Sequence, residues 1–373
     1  MSSTQPDTES FVSPGMPPLG ETQRTTSFFE FWPTWLMYLP VVIQWLLLSI
    51  YYRSLTLPLI ANPKLPLSGM VGIPKSDLLS QAGDLCNQAI LPWFVHTKSS
   101  PDPQHDCRVI EEKMEADNFT FPVVCKPDIG CRGSGVKLIH NQQQLQECVA
   151  SYPIGASIML QQLADYEPEA GIFFVKAPED ERGQIISLAL KYTPYVVGNG
   201  KDTLDQLITH DERANLLQHL YKERHSSHLN DIIPEGTPYR LVFSASHCRG
   251  AIFKNAAEHI TPELTSALNT LLADLPEFYY GRLDIKFSNM DDLRHGKHLQ
   301  IIEINTASSE SLHIWDSDAT FTEAIFSLLF QYKTLFKLGE QNRRRGFKTP
   351  SLLSLLKHWK KERDLTQHHP TTD

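Results

Sequence analysis

The chain has 373 residues, of which 41% are hydrophobic and 21% charged, and its formal net charge is −9. This length and apolar content exclude a disulfide-stapled mini-protein and a disordered chain, and they predict one large or two medium domains with packed cores. The overall acidity argues against a dedicated nucleic-acid binder. The six cysteines include no C-x-x-C pair, so we expect neither a zinc site nor a disulfide framework, and we infer a reducing compartment.

The N-terminal region changes character at about position 30. Residues 1–30 are rich in Ser, Thr, Pro and Gly, and we expect them to be disordered. The hydrophobic segment 31–55 follows and contains 22 consecutive uncharged residues, 31–52. A helix of that length measures about 33 Å, close to the hydrocarbon thickness of a bilayer. Arg53 follows directly, and by the positive-inside rule it places the bulk of the chain in the cytoplasm.

Three interpretations of this segment remain open. Trp35 and Tyr51 near its ends suit the headgroup region of a membrane. Pro40 removes a helical hydrogen bond, so the segment is either a kinked span or a helix lying in the membrane interface. The third interpretation is a buried helix of a soluble domain.

A candidate phosphate-binding loop follows further along the chain. A short apolar run, 121–125, ends in Lys126 and leads into DIGCRGSG and a second apolar run, 136–139. The second run predicts strand, loop and strand, which excludes a P-loop and a dinucleotide fingerprint, since both lead into a helix. The glycines free backbone amides to close on phosphate oxygens, which Lys126 can neutralise. A glycine-rich hairpin without a ligand is the alternative.

A candidate metal site lies near the C-terminal third of the chain. Two apolar runs, 281–287 and 299–305, flank a polar stretch and predict a β-hairpin. In period-2 geometry Glu303 and Asn305 share one face, which Asp284 on the partner strand can meet. Two carboxylates and an amide suit Mg²⁺ held against ATP phosphates, and Arg282 on the same face can stabilise a transferred phosphoryl group. An ordinary salt-bridged hairpin is the alternative.

A basic tail closes the chain. Between positions 343 and 363 eight basic residues stand against one acidic residue. Thr349 and Pro350 predict the start of a helix whose apolar side chains include Leu352, Leu356 and Trp359. Such a helix can lie on anionic lipid, and a solvated terminal helix is the alternative.

These motifs resemble one known family. The run VVCKPDIGCRGSGVKLI resembles the lysine strand and mobile glycine loop of the ATP-grasp superfamily, which holds ATP between two α+β subdomains. The runs GRLDIK and LQIIEINT resemble the metal-binding strands of D-alanine–D-alanine ligases, and VVGNGKDTL is similar to an element of cyanophycin-synthetase-like ligases. The resemblance implies an α+β ATP-grasp domain over 56–339, between the hydrophobic segment 31–55 and a basic tail, 340–373.

The resemblance also implies roles for single residues. Glu169 corresponds to the ribose-binding acid, with Glu167 as a competitor, and Lys191 is either a phosphate ligand or a solvated lysine. The implied ATP-binding residues are Lys75, Lys126, Gly130, Gly133, Ser134, Gly135, Gln162, Leu163, Glu169 and Lys191. The implied metal ligands are Asp284, Glu303 and Asn305, and the implied catalytic residues are Arg282 and Lys126.

The pattern departs from these ligases on the acceptor side. We expect their N-terminal substrate subdomain to be truncated here or replaced by the hydrophobic segment, and 307–311 stands where they have a Ser-Pro-Gly turn after the metal strand. The nucleotide half is therefore retained while the acceptor half is altered. His247 and Arg249, on a hairpin expected over 241–254, are candidates to bind an acceptor carboxylate, and an exposed turn is the alternative.

The expected function is an ATP- and Mg²⁺-dependent ligase that activates a carboxylate as an acyl phosphate for attack by an amine. Two Mg²⁺ ions are expected, with Mn²⁺ as the alternative metal. The rival hypotheses are an ATP-grasp kinase acting on a hydroxyl and a non-catalytic nucleotide-binding membrane scaffold. The expected location is the cytoplasmic face of the cell membrane, with a soluble cytoplasmic enzyme as the alternative. The acid, the amine and the oligomeric state stay open, and no nucleic-acid partner is expected.

Overall fold

The computed structural model describes residues 11–19, 29, 32–130, 135–244, 246, 249–367 and 372. These residues form two main antiparallel sheets with helices packed around them, so the predicted α+β class is confirmed. The helices are α1 (Thr34–Tyr52), α2 (Lys75–Leu79), α3 (Asp84–Asn87), α4 (Pro103–Ala116), α5 (Gln142–Ala150), α6 (Leu204–His210), α7 (Glu212–Leu216), α8 (Gln218–Arg224), α9 (Pro262–Leu271), α10 (Met290–His295), α11 (Phe321–Arg344) and α12 (Leu352–Thr366). The strands are β1 (Trp93–Thr97), β2 (Val123–Pro127), β3 (Lys137–Ile139), β4 (Ser157–Gln162), β5 (Glu169–Val175), β6 (Gln184–Tyr192), β7 (Tyr195–Val197), β8 (Pro238–Arg240), β9 (Ile252–Asn255), β10 (Tyr280–Phe287) and β11 (Leu299–Asn305).

The first sheet carries the predicted lysine strand. Its order is β1-β4-β2-β3, and β2 pairs antiparallel with β3, so the predicted strand–loop–strand unit is confirmed. Alternating β2 residues such as Val123 and Cys125 are fully buried, and they pack with Leu145 and Val149 of α5. The glycine-rich loop therefore leaves the edge of a sheet that is held from behind by a helix.

The second sheet carries the predicted metal strands. Its order is β11-β10-β5-β6-β9, with every neighbouring pair antiparallel. One face of this sheet packs against a core that includes Leu283, Ile285 and Ile301, together with Leu264 and Leu268 of α9. The polar side chains that alternate with these residues lie on the opposite face. The predicted hairpin over 281–305 is confirmed, and α10 occupies its polar connection.

The long helix α11 starts at a capping box. The Thr320 hydroxyl accepts from the backbone of Glu323, whose carboxylate accepts from the Thr320 amide, and this satisfies two donors of the first turn. The helix continues to Arg344, past the domain boundary expected between 339 and 340. Leu338 and Asn342, on either side of that boundary, are both buried, and the side-chain amide of Asn342 donates to the carbonyl of Ile60 at 2.8 Å.

Three expectations need correction. Residues 11–19 were expected to be disordered, yet they lie on the body, where the Tyr192 hydroxyl donates to the carbonyl of Pro17 at 3.1 Å. The hairpin over 241–254 is wrong, because β9 pairs with β6 and β8 pairs with β7. The terminal helix begins at Leu352 and not at Pro350, because the Ser351 hydroxyl caps its first turn. His247 lies outside the described residues, and the remaining part of 1–30 is described only at 29.

Of the helices described, α1 is the one long and apolar enough to cross a membrane, over Trp35–Tyr52, judged by length and composition. Pro40 lies inside it, as its sequence position requires. The helix packs along α11, with Met37 and Val41 buried at their contact. Its other side faces outward and remains apolar.

Candidate active site

Two neighbouring strands bring four of the predicted site residues together. In the β10–β11 register Asp284 stands opposite Glu303, and Arg282 stands opposite Asn305. Directly opposed residues of an antiparallel pair project to the same face, so all four side chains share the polar face of the five-stranded sheet. The structure thus places the three predicted metal ligands side by side, with the predicted catalytic arginine among them.

Asp284 is the most strongly held member of this group. Its side chain is nearly buried and accepts two hydrogen bonds from Arg282, at 2.7 Å from Nε and 3.0 Å from Nη2. The amide of Asn305 donates to the same carboxylate at 3.0 Å. Burial disfavours the charged form of Arg282 and would lower its pKa. The negative charge of Asp284 outweighs the effect of burial, so the pKa of Arg282 is raised.

Glu303 faces a group of lysines. The Nζ atom of Lys75 lies 3.9 Å from the Glu303 carboxylate. Burial alone would raise the pKa of Glu303, but the positive charges of Lys75 and Lys126 lower it below its usual value. Glu303 is therefore an ionised carboxylate at neutral pH, as a metal ligand must be.

Lys126 connects the two sheets. It lies on β2 of the first sheet, and its Nζ donates to the carbonyl of Ile302 on β11 of the second sheet at 3.0 Å. A second bond, 2.7 Å long, goes to Gln161 on β4. Burial lowers the pKa of the Lys126 ammonium to about 8, although the nearby Glu303 opposes this shift. The predicted phosphate lysine and the predicted metal strands thus meet in one place.

Lys75 contacts both the glycine-rich loop and Glu303. It begins α2, and its Nζ donates to the carbonyls of Pro127 at 3.2 Å and Gly130 at 2.9 Å. Asp128 accepts from the amide and the hydroxyl of Ser76, at 2.9 and 2.6 Å, and so fixes α2 against the loop. The loop ends at Gly135, whose φ of 72° is a conformation that residues with a Cβ atom avoid. Gly133 and Ser134 lie outside the described residues.

Glu169 is part of a buried ionic group on the same polar face. It stands opposite Lys191 on β6 and opposite Lys286 on β10, with Nζ atoms 2.5 and 3.0 Å from its carboxylate. Burial would raise the pKa of Glu169, but the two lysines outweigh it and lower the pKa to about 2. The competing acid, Glu167, is 54% exposed and accepts from Ser13 at 3.2 Å.

The predicted adenine-binding residues follow β4. Gln162 is the last residue of that strand, and its backbone N–H donates to the carbonyl of Pro92 at 2.9 Å. Leu163 comes directly after it, where the chain leaves the first sheet towards β5 of the second. Both residues therefore lie on the connection between the two sheets.

The carboxylates and the amide fit a hard divalent cation by their chemistry. Asp284, Glu303 and Asn305 offer oxygen donors on adjacent strands, which is the donor set that Mg²⁺ prefers. Among the residues that the structure describes, no group of three or more His, Cys, Asp or Glu side chains is arranged to hold a metal. The candidate site is consistent with this, because its third donor is an amide.

The sequence reasoning missed three residues of this region. Gln161 is buried against Lys126, and among the residues described its Nε2 finds no hydrogen-bond partner. Lys286 pairs with Glu169, and its spacing of two from Asp284 was the available signal for a shared face. Asp128 fixes α2, and the sequence carries no signal for that long-range contact.

No family model matches the chain, and no curated protein does. Among solved structures the chain is similar to a bifunctional glutathione synthetase from Pasteurella multocida, with 12% identity and a TM-score of 0.34 over 69% of this chain and 35% of that one. It is also similar to the D-cycloserine synthetase DcsG, with 12% identity and a TM-score of 0.37 over 70% of each chain.

A third similar structure is the VanG D-Ala:D-Ser ligase from Enterococcus faecalis, with 12% identity and a TM-score of 0.39 over 72% of this chain and 64% of that one. The chain spans about a third of the length of the glutathione synthetase. Similarity at this level carries no argument about the reaction, so the account of function depends on the geometry of the site.

Proposed function

We propose that the chain is an ATP-grasp, ADP-forming carboxylate–amine ligase that uses ATP and Mg²⁺. The observation that carries this proposal is the contact of Lys126 with β11 across the two sheets, beside Asp284 and Glu303. The buried ammonium of Lys126 beside two carboxylates suits a nucleotide whose phosphates need both a cation and a metal. Such a cluster of charges has no evident structural purpose, because burying the charges is costly.

The proposed roles follow from position or, for Gly133 and Ser134, from the family resemblance of the loop sequence alone. Lys75, Lys126, Gly130, Gly133, Ser134 and Gly135 hold the phosphates, and Lys191 assists from the second sheet. Gln162 and Leu163 meet adenine where the chain passes between the sheets, and Glu169 receives the ribose, its charge held by Lys191 and Lys286. Asp284, Glu303 and Asn305 hold the metal, for which two Mg²⁺ ions, or Mn²⁺, are proposed. A bound divalent cation supplies neutralisation of phosphate charge.

The proposed reaction has two steps. An oxygen of the substrate carboxylate attacks the γ-phosphorus of ATP, the bond to the β-phosphate oxygen breaks, and ADP leaves with formation of an acyl phosphate. The nitrogen of an amine then attacks the acyl carbon, phosphate leaves, and the nitrogen loses a proton to give an amide. Arg282 and Lys126 stabilise the negative charge that is shared over the transferred phosphoryl group.

Hydroxylamine trapping tests this reaction against the kinase alternative. The protein is incubated with ATP, Mg²⁺, hydroxylamine and one acid at a time from a panel of amino acids, peptides and lipid headgroup acids. Both the ADP and the hydroxamate that form are measured. A ligase forms a hydroxamate with its true acid, because hydroxylamine captures the acyl phosphate. ADP release with a stable phosphorylated product and no hydroxamate would instead identify a kinase. Lys126→Ala and Glu303→Ala should abolish turnover, and full activity in both variants would refute the site.

We also propose that the reaction takes place at the cytoplasmic face of a membrane. Two features support this location, the apolar outer side of α1 and the basic residues of α12, which include Lys357, Lys360 and Arg363. Fractionation of cells at low salt tests it, with sedimentation alongside membranes as the expected result. Recovery of the whole protein in the soluble fraction would contradict it and favour the soluble enzyme.

A further inference from the structure

The chain is attached to the folded body on both sides of α1. Before the helix, Val12, Met16 and Leu19 pack against the core of the five-stranded sheet, and Ser13 donates to Glu167 at 3.2 Å. After the helix, Leu57, Leu59 and Ile60 are at most 5% exposed in the segment that leads into the site. A helix that crosses a bilayer separates its two flanks by the membrane. Flanks that bind one body are incompatible with such a crossing.

The inner side of α1 is fixed to α11 along its whole length. Trp45 packs on Phe336 with ring centroids 5.2 Å apart, and Tyr52 stacks on the same ring at 5.8 Å. Arg343 near the end of α11 donates to the carbonyl of Tyr52 at 3.0 Å. Phe336 is fully buried, so removal of α1 would expose it to water. The helix is thus an integral part of the body.

The outer face of α1 is apolar and exposed to an unusual extent. Its members are Trp35, Leu39, Val42, Ile43, Leu46, Leu47, Ile50 and Tyr51, with exposures from 47% to 77%. The neighbouring α11 adds Phe326 at 65% and Phe330 at 54%. Soluble monomers rarely expose a contiguous apolar surface of this kind, which marks contact with a membrane or another protein.

The charges beside this surface indicate which of the two it is. On α11 the exposed residues Phe326, Phe330, Lys333 and Lys337 follow one another at spacings of three and four, so they form a single stripe that turns from apolar to basic. Arg53, directly after α1, is also exposed. An apolar surface bordered by cations matches the acyl and headgroup layers of an anionic bilayer.

We infer that the outer face of α1, with Phe326 and Phe330, docks in the plane of an anionic lipid bilayer and does not span it. The inference rests on the proposed membrane association but not on the proposed reaction. It selects one of the three interpretations that the sequence left open. It also assigns the membrane contact chiefly to α1 and only secondarily to α12.

The docked helix is connected to the candidate site. Tyr38 of α1 donates to the carboxylate of Glu310 at 3.1 Å, and the carbonyl of Glu310 accepts from Arg282 at 3.0 Å. Glu310 lies five positions after Asn305, so these two hydrogen bonds link α1 to the Arg282 side chain of the candidate site.

Vesicle binding tests the docking surface. The full chain is mixed with vesicles of pure phosphatidylcholine or with 30% phosphatidylglycerol, and the bound fraction is measured by sedimentation. Ile43→Glu, Leu47→Glu and Phe330→Glu should each lower the partition coefficient at least about tenfold, since each removes the burial of one large apolar side chain. Leu216→Glu is the matched control, because Leu216 is 51% exposed but lies on α7, outside the docking surface. This variant should bind vesicles as the wild type does. Lys333→Glu should weaken binding only to the anionic vesicles.

Protease treatment of the bound complex separates docking from spanning. With a tag on the N-terminus and protease outside the vesicles, in-plane docking leaves the tag fully accessible. A protected N-terminal fragment would overturn the inference in favour of a span. Unchanged thermal midpoints of the Glu variants confirm that they fold.

The remaining outcomes are also decisive. Normal binding of the α1 variants together with loss in Lys357→Glu/Lys360→Glu would overturn the docking surface while leaving membrane association intact. Failure of the wild-type chain to bind either vesicle would reject both. A lipid-free dimer that Leu47→Glu converts to a monomer, with vesicle binding unchanged, would show that a second copy covers this face. None of these results depends on turnover, so they test the docking surface independently of the proposed reaction.

Discussion

The ammonium group of Lys126 is the residue-scale feature on which the candidate site depends. It is 7% exposed and hydrogen-bonded to Gln161 and to the carbonyl of Ile302, so its charge is held without a direct carboxylate partner among those bonds. A buried cation stabilised mainly by dipoles is costly to the fold and is well suited to bind an anion. This supports the proposal that Lys126 is a phosphate ligand.

The first prediction concerns its charge. Lys126→Gln should weaken binding of a non-hydrolysable ATP analogue by about 10- to 100-fold, because one charge-assisted hydrogen bond is lost. Lys98→Gln is the control, since Lys98 is also buried but donates to the carbonyls of Ala150 and Tyr152, at 3.2 and 2.6 Å, which are not among the candidate site residues. Titration calorimetry measures both affinities. Equal losses in the two variants would mean that Lys126 acts only through stability.

The second prediction concerns pH. Burial lowers the pKa of Lys126 to about 8. A phosphate bound beside it would raise that pKa again, because a nearby negative charge favours the ammonium form. Affinity for the analogue should therefore be constant below pH 8 and fall by up to about tenfold per unit above it, as the free protein loses this proton. Lys126→Arg should remove the fall, because a guanidinium stays charged throughout. A flat wild-type profile from pH 7 to 9.5 would contradict the assignment.

At the scale of elements, single side chains fix how helices and strands connect. Asp106 of α4 is fully buried and accepts from the amides of Ser99 and Ser100, at 2.9 and 3.0 Å, and from His96 of β1 at 2.8 Å. These bonds close the turn between β1 and α4. Burial would raise the pKa of Asp106, but the hydrogen bonds outweigh it and lower the pKa to about 2.

The third prediction follows from this shift. A carboxyl group whose pKa is lowered in the folded state stabilises the fold above its unfolded pKa and loses that effect as pH falls towards 2. Asp106→Asn should lower the free energy of unfolding by about 2 kcal/mol at pH 7, and the difference from wild type should shrink below pH 4. Urea denaturation at several pH values measures this. A difference that does not vary with pH would refute the cause given.

The fourth prediction concerns the packing of α11. A Cβ atom at Gly339 would lie 2.2 Å from the carbonyl oxygen of Leu57, in the segment that joins α1 to the site. Backbone atoms cannot easily move away from this clash. Gly339→Ala should therefore lower the free energy of unfolding by about 1 to 3 kcal/mol, despite the better helix propensity of alanine. Lys337→Ala, at an exposed position of the same helix, should change stability little. A stabilised Gly339→Ala would show that the two segments separate readily.

The same elements show what periodicity can predict. The β2–β3 unit and the β10–β11 hairpin were predictable, because alternation of apolar residues is fixed by burial on one face. The pairing of β9 with β6 was not, since Lys254 and Leu190 are 64 positions apart and nothing local joins them. The continuation of α11 through Arg344 was missed because its last turns are charged in sequence yet bury Asn342.

At the scale of the whole molecule, the site is made where two sheets meet. Glu303 and Asn305 could be grouped from the sequence, because strand geometry puts them on one face, and Asp284 on the partner strand could be expected to face them. That Lys126 reaches Ile302 across 176 positions could not be derived from spacing, and it entered only through the family resemblance. The attachment of residues 11–19 to the body was likewise hidden, since polar, proline-rich sequence has no periodic signal.

The most direct test of the account is the effect of Mg²⁺ on binding of a non-hydrolysable ATP analogue, measured by calorimetry for wild type, Asp284→Asn and Glu303→Gln. In the wild type Mg²⁺ should tighten binding at least about tenfold. Both variants should lose that gain while their metal-free affinity does not fall, because each removes a metal ligand and no phosphate ligand. A Mg²⁺ effect that persists unchanged in both variants would contradict the claim that these strands hold the metal.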